Sequence, residues 1–141
     1  MANILIACEE SQAICKAFRE NGHNAYSCDI LECSGGHPEW HFMQDVLQVI
    51  PNHGGKLENG EEYFLPNGEE WDLMIAHPPC TYLSVSGARW LYHPDDADLP
   101  IEQRREHPHH LGRRKMKAEA EEFFMQFTKT TIKRWAIENP V

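Results

Sequence analysis

Leu73-Met74-Ile75-Ala76-His77-Pro78-Pro79-Cys80 decides the reading of this chain. Four apolar residues between Asp72 and a pair of prolines form a short buried strand, and the prolines, which cannot continue a hydrogen-bonded ladder, turn the chain outward. Cys80 is thereby presented at the mouth of a sheet. The plain alternative is a small apolar side chain packed in a turn, the usual fate of a free cysteine.

A second segment bears on that choice. Trp135-Ala136-Ile137 is another short apolar run, followed by Glu138-Asn139-Pro140-Val141. Ligands of open parallel sheets bind where strand carboxyl ends meet loops, so thiol and carboxylate would share one crevice. A thiolate and a carboxylic acid facing one pocket suit nucleophilic addition to an electron-poor ring, the acid bonding the ring nitrogen that gains electrons.

The front of the chain supplies the rest of such a sheet. Ile4-Leu5-Ile6-Ala7 reads as a buried strand, and Ser11 as the cap of a helix with the apolar stripe Ala13, Ile14, Ala17 and Phe18, ended by Gly22. Asn24 to Cys28 reads as a second strand ending on Asp29, which completes a strand, helix, strand crossover. The fold class expected is α/β, a Rossmann-like sheet. An acid at the end of the second strand of such a sheet holds ribose hydroxyls, which makes Asp29 a cofactor ligand; an aspartate that caps its own loop is the alternative.

These residues resemble the DNA cytosine 5-methyltransferases, whose catalytic loop reads Pro-Pro-Cys followed by a Ser and a Gly and whose next motif is Glu-Asn-Val. This chain has Pro78-Pro79-Cys80, Ser84 and Gly87, then Glu138-Asn139 with Pro140 interposed before Val141. The resemblance implies an S-adenosylmethionine-dependent methyltransferase sheet. In it Cys80 attacks carbon 6 of a cytosine, Glu138 holds the nitrogen 3 edge, and carbon 5 takes the methyl group. The base would be flipped out of the DNA duplex, since carbon 6 is unreachable in the stack. The same resemblance assigns cofactor contacts to Ala7, Cys8, Glu9, Asp29, Asp45 (within Gln44-Asp45-Val46) and Pro78, and substrate contacts to Pro79, Ser84 and Asn139.

The chain departs from that family at two places. The loop after the first strand is Ala7-Cys8-Glu9-Glu10-Ser11, where the family has Phe-x-Gly-x-Gly. Glycine lets a backbone approach a ligand closely, so its absence implies a different cofactor pose or a lost site. Glu9 or Glu10 would hold the cofactor's ammonium, or the two acids simply start the helix, where negative charge suits the dipole. The chain also stops where the family continues to an Arg-containing motif and a target-recognition region. The expectation is a fragment, a domain completed by another chain or by a second copy in a homodimer, or a minimal relative. A catalytically incomplete nucleic-acid or nucleotide binding module is the competing function.

Composition sets the outer bounds. With 141 residues, 41% hydrophobic and 25% charged, the chain reads as one domain, residues 1–141, with one core. No apolar run reaches membrane-spanning length and the start lacks a signal-peptide pattern, so a cytoplasmic protein without a membrane partner is expected. Five cysteines without Cys-x-x-Cys pairing suggest reduced thiols, and the histidine clusters lack the one-faced spacing of a metal site. A net charge of -9 means that DNA must meet a local basic patch. Arg104, Arg105, Arg113, Arg114, Lys115 and Lys117 form the candidate, Arg113 and Arg114 being assigned to substrate; a solvated helix start is the alternative.

Between these landmarks, Asn59-Gly60 and Asn67-Gly68 punctuate a surface hairpin over about 56–70. A long active-site loop is expected over about 81–112, its Tyr82, Trp90 or Tyr92 stacking on a flipped base or else packing on the core. The spacing of Met116, Ala120, Phe123, Phe124 and Phe127 predicts an amphipathic helix from Arg113 to Arg134 with that stripe in the core.

Overall fold

The computed structural model of the chain describes residues 1–79 and 90–138. These group into two compact units, residues 1–78 with 129–138, and Pro79 with 90–128.

The first unit is built on a five-stranded parallel sheet in the order β3-β2-β1-β6-β7. Its strands are β1 (Asn3–Ala7), β2 (Asn24–Asp29), β3 (His41–Met43), β6 (Leu73–Ala76) and β7 (Trp135–Ile137). Every residue of β1 is buried. That fits its place at the sheet centre, where a parallel strand is covered on both faces and carries no polar alternation. Strand order reverses beside β1: the chain runs outward through β2 and β3, then returns to β6 on the other side. The crevice between the carboxyl ends of β1 and β6 is the switch point at which such sheets bind ligands.

Register assigns the two faces. Ile4 and Ile6 pack with Cys15 and Ala25 against Ile14 and Phe18 of α1 (Ala13–Glu20). On the other face, Leu5 pairs with Tyr26 and Met74. Tyr26 stacks on Tyr63 at 4.5 Å between ring centroids and leans on Phe42 at 5.2 Å, with Trp71 edge-on to both. Tyr63 belongs to an antiparallel ribbon, β4 (Gly54–Lys56) with β5 (Glu62–Phe64), so the hairpin expected over 56–70 starts two residues earlier. A short helix α2 (Val46–Asn52) precedes the ribbon. The segment Phe42 to Ile50 is thus divided between β3 and α2.

Two expectations about helices are corrected. Ser11 is not the cap of α1: Gln12 occupies that position in the left-handed region (φ 59°), and the Ser11 hydroxyl lies a long 3.4 Å from the Ala13 amide. The cap is the carboxylate of Glu9, as described below. The helix predicted from Arg113 to Arg134 is α3 (Arg113–Thr128), six residues shorter. The run Thr128-Lys129-Thr130-Thr131 stops it, because threonine hydroxyls bond nearby backbone and compete with the helix. Thr128 Oγ1 donates to the Met125 carbonyl, and Thr130 Oγ1 accepts from Ile132 N. Of the predicted stripe only Phe127 is fully buried; Phe123 meets it edge-on at 5.1 Å and Met116 is exposed.

In the second unit, Arg105 clasps Asp96 with its guanidinium and backbone amide, holding that carboxyl down to about 2. Within the residues expected as a long loop, two single turns of 3-10 helix occupy Pro94–Asp96 and Ile101–Gln103. Among the described residues no helix is long and apolar enough to cross a membrane.

Candidate active site

The carboxyl edge of the first unit's sheet gathers most of the described residues singled out from the sequence. Each strand there hands one more backbone bond to its neighbour: Glu9 N to Cys28 O, Gln44 N to Asp29 O, His77 N to Ala7 O and Glu138 N to Ala76 O. These extra rungs carry the ladder one bond past the strand ends.

Between β6 and β7 the register pairs Ala76 with Ile137, so the next residues, His77 and Glu138, stand side by side. His77 Nδ1 meets Glu138 Oε2 in a close hydrogen bond. The imidazole side chain is only 23% exposed and the carboxylate 62%, so the pair has an anchored member and an accessible one. His77 was not singled out from the sequence. Its position at the strand end before Pro78, one register step from Glu138, is the signal that would have found it.

At the other strand ends stand Cys8, Asp29 and Asp45. Cys8 turns the chain with φ 60°, in the left-handed region that glycine usually takes. Its thiol is pushed up to about 12, first by burial and then by the negative charges of Asp29 and Asp45. Cys28 lies well above its ordinary value for the same reasons, with Cys8 contributing. Cys15 is raised to about 11, chiefly by burial, and Cys33 is raised as well, by burial and by Glu58. None of the four described thiols is activated, because a nucleophilic cysteine needs a lowered value.

Asp29 Oδ1 accepts from Leu31 N at 3.0 Å, so one of its oxygens caps its own loop. Just past it, Ile30 and Leu31 hold their side chains 74% and 60% exposed. Asp45 caps α2, accepting from Leu47 N at 3.0 Å. Ala7 is fully buried and contributes only its backbone; Pro78 is buried and Pro79 exposed.

The acids of the turn after β1 are engaged by the protein itself. Glu9, 6% exposed, accepts from Ile14 N at 2.7 Å and Cys15 N at 3.2 Å, satisfying two of the amides that a helix start leaves open. Glu10 receives the Ser34 hydroxyl at 2.5 Å and, through its carbonyl, the Ser34 amide at 2.8 Å. The segment around Cys33 to His37 is thereby folded over the turn. Gln12 fixes it further: its amide nitrogen donates to His37 O and Ser27 Oγ, and its oxygen accepts from His37 N. His41 completes the network, with Nε2 donating to Leu31 O at 2.9 Å and Nδ1 facing Ser27 Oγ at 2.8 Å. A carbonyl only accepts, so Nε2 carries the proton and Nδ1 takes the serine hydroxyl. Gln12, Ser27 and His41 are all fully buried.

Arg113 and Arg114 begin α3 in the second unit. The guanidinium groups of Arg104 and Arg114 lie over the Tyr92 ring, 5.5 Å and 5.2 Å from its centroid. Lys115 and Lys117 face Glu119 and Glu121 one turn on, the pattern of a solvated helix surface. Trp90, considered for stacking on a base, rests against His107 and His110. Cys80, Ser84 and Asn139, with Tyr82, Gly87 and Pro140, lie outside the described residues.

Comparison of the chain with protein-family models, with curated proteins and with solved structures found no match.

Proposed function

We propose that this chain transfers a methyl group from S-adenosylmethionine to carbon 5 of a cytosine in DNA, through an adduct between the Cys80 sulfur and carbon 6 of the ring. The observation that carries the reading is the adjacency of β6 and β7. It sets Glu138 beside His77, the residue that opens the His77-Pro78-Pro79-Cys80 loop. The raised thiols of Cys8, Cys15, Cys28 and Cys33 support it too, because they leave Cys80 to act as the nucleophile.

In this reading the thiolate adds to carbon 6, the ring electrons move toward nitrogen 3, and the Glu138 carboxyl group, as the acid, donates a hydrogen bond to that nitrogen. Carbon 5, now nucleophilic, takes the methyl group; removal of the carbon 5 proton and departure of the Cys80 thiolate, as the carbon 6–sulfur bond breaks, restore the aromatic ring. S-adenosylmethionine supplies the electrophilic methyl when bound. The residues at the sheet edge fit its ribose and adenine half: Asp29 has a second carboxylate oxygen for hydroxyl groups, and Ile30 and Leu31 offer apolar surface to a ring. Glu9 and Glu10 are occupied by α1 and by Ser34, so the ammonium group would find other partners.

That engagement of the turn favours a second reading, a module that keeps the sheet and binds a nucleotide or nucleic acid without methyl transfer. Two measurements separate the readings. DNA carrying 5-fluorocytosine, incubated with the chain and the cofactor, should yield a denaturation-resistant adduct that Cys80→Ser abolishes. Calorimetric titration of S-adenosylmethionine should give binding that Asp29→Ala weakens. Absence of both leaves the binding module.

A further inference from the structure

We propose that His77 is a positioning residue for Glu138, holding the carboxylate in the one orientation that meets the base edge. The inference rests on the methyl-transfer reading and adds a residue that the resembled motifs do not supply.

The argument starts from freedom. A glutamate just past an edge strand has three side-chain torsions, and ordering them when substrate arrives costs free energy. Glu138 is well exposed, so packing alone does not order it. What orders it is the imidazole. His77 is held through its own backbone, by the His77 N to Ala7 O bond that continues the β1–β6 ladder, and its side chain is mostly covered. The glutamate backbone is held in the same way by the bond from its amide to Ala76 O. With both backbones fixed in register, the contact of Nδ1 with Oε2 fixes the remaining torsions and leaves Oε1 for a ligand.

The far side of the ring agrees. His77 Nε2 is buried and has no hydrogen-bond partner among the described residues. A buried N–H without an acceptor is costly, whereas a bare ring lone pair is the ordinary state of one nitrogen in neutral imidazole. The proton therefore sits on Nδ1, where the carboxylate receives it. Histidine is suited to this task over lysine or arginine: its ring is rigid, and it orients Glu138 without covering both carboxylate oxygens.

The test has two arms. In the first, the imidazole nitrogens of 15N-labelled protein are observed in mildly alkaline buffer, where free imidazole is neutral. The wild-type chain should show His77 protonated at Nδ1, and Glu138→Ala, which removes the acceptor, should move the Nδ1 nitrogen and proton resonances toward those of a water-bonded imidazole; a wild-type ring protonated at Nε2, or an Nδ1 resonance that Glu138→Ala leaves unmoved, overturns the proposal. In the second, adduct formation with 5-fluorocytosine DNA is timed for His77→Ala and His77→Asn, with DNA affinity and melting temperature measured alongside. Loss of orientation should slow His77→Ala by between about tenfold and a hundredfold at unchanged DNA affinity. His77→Asn, whose side-chain amide can donate in place of Nδ1, should recover most of the rate. Should the wild-type chain form adduct and both variants match it, the methyl-transfer reading stands and the role of His77 falls. Should the wild-type chain form none, the catalytic role of His77 falls with that reading, while the nitrogen signature still reports whether the ring holds Glu138.

Discussion

Gly35 and Gln12 touch so closely that a methyl group on Gly35 would lie 2.5 Å from Gln12 Cβ. Two loops distant in sequence, one after β1 and one after β2, are locked together at this point.

Gly35→Ala should therefore destabilise the chain. The added methyl also meets Ser11 O at 2.5 Å, a backbone atom that cannot swing aside. Overpacking of this kind costs about 1–3 kcal/mol, which a shifted midpoint in urea denaturation would report.

Gln12→Leu tests the polar half of the same lock. It strands the His37 amide, takes one of two donors from the His37 carbonyl, which keeps Trp40 N, and removes a donor from Ser27. A donor left unmet costs about 1–3 kcal/mol, so the loss should be of the same order as that of Gly35→Ala. Amide exchange should speed up at His37 before it does in β1.

Glu9→Ala removes the carboxylate that caps α1. A drop of about 0.5–2 kcal/mol is expected, the range for loss of a helix cap. Equal stability of Glu9→Ala and wild type in chemical denaturation would show that water replaces the carboxylate without penalty.

Glu138→Gln should leave thermal stability unchanged, because the side chain is largely exposed. Adduct formation with 5-fluorocytosine DNA should nevertheless slow by about a hundredfold or more, the usual contribution of a positioned acid or base.

The buried thiols predict an alkaline dependence of stability. Cys8 and Cys15 ionise at about 12 and about 11 in the folded chain, against 9.0 for a free thiol. Below pH 9 both states hold the proton and the full stability is present. Above it the unfolded chain loses protons first, so stability must fall as pH rises from 9 toward 12. Urea midpoints measured across that interval should decline, and alkylation at pH 8 should leave Cys8, Cys15 and Cys28 unlabelled in the folded chain.

Much of the architecture was legible in the linear pattern. Ile4 to Ala7, Asn24 to Asp29 and Leu73 to Ala76 announce parallel strands through short apolar runs closed by polar or proline residues, and the strand, helix, strand spacing implies their crossover. Strand ends are local features, and that is why Asp29 and Glu138 could be assigned to the carboxyl edge. The capping of α1 was misread because Ser11 stands at the conventional distance, whereas Glu9 reaches the same amides from further back once Cys8 has turned the chain. Helix α3 was read too long because apolar spacing says nothing about where threonine hydroxyls will compete.

What the amino-acid sequence determined by itself is the strands β1, β2, β6 and β7, the existence of α1 and α3, and the end of the sheet at which Asp29 and Glu138 emerge, since those depend on period, turn chemistry and proline, all felt within a few residues. Tertiary structure alone decided which residues meet. His77 and Glu138 stand 61 positions apart, and Gln12 and His37 stand 25 apart. Their contacts follow from strand order and register, which are set by the packing of both faces of the sheet at once and are written in no single segment.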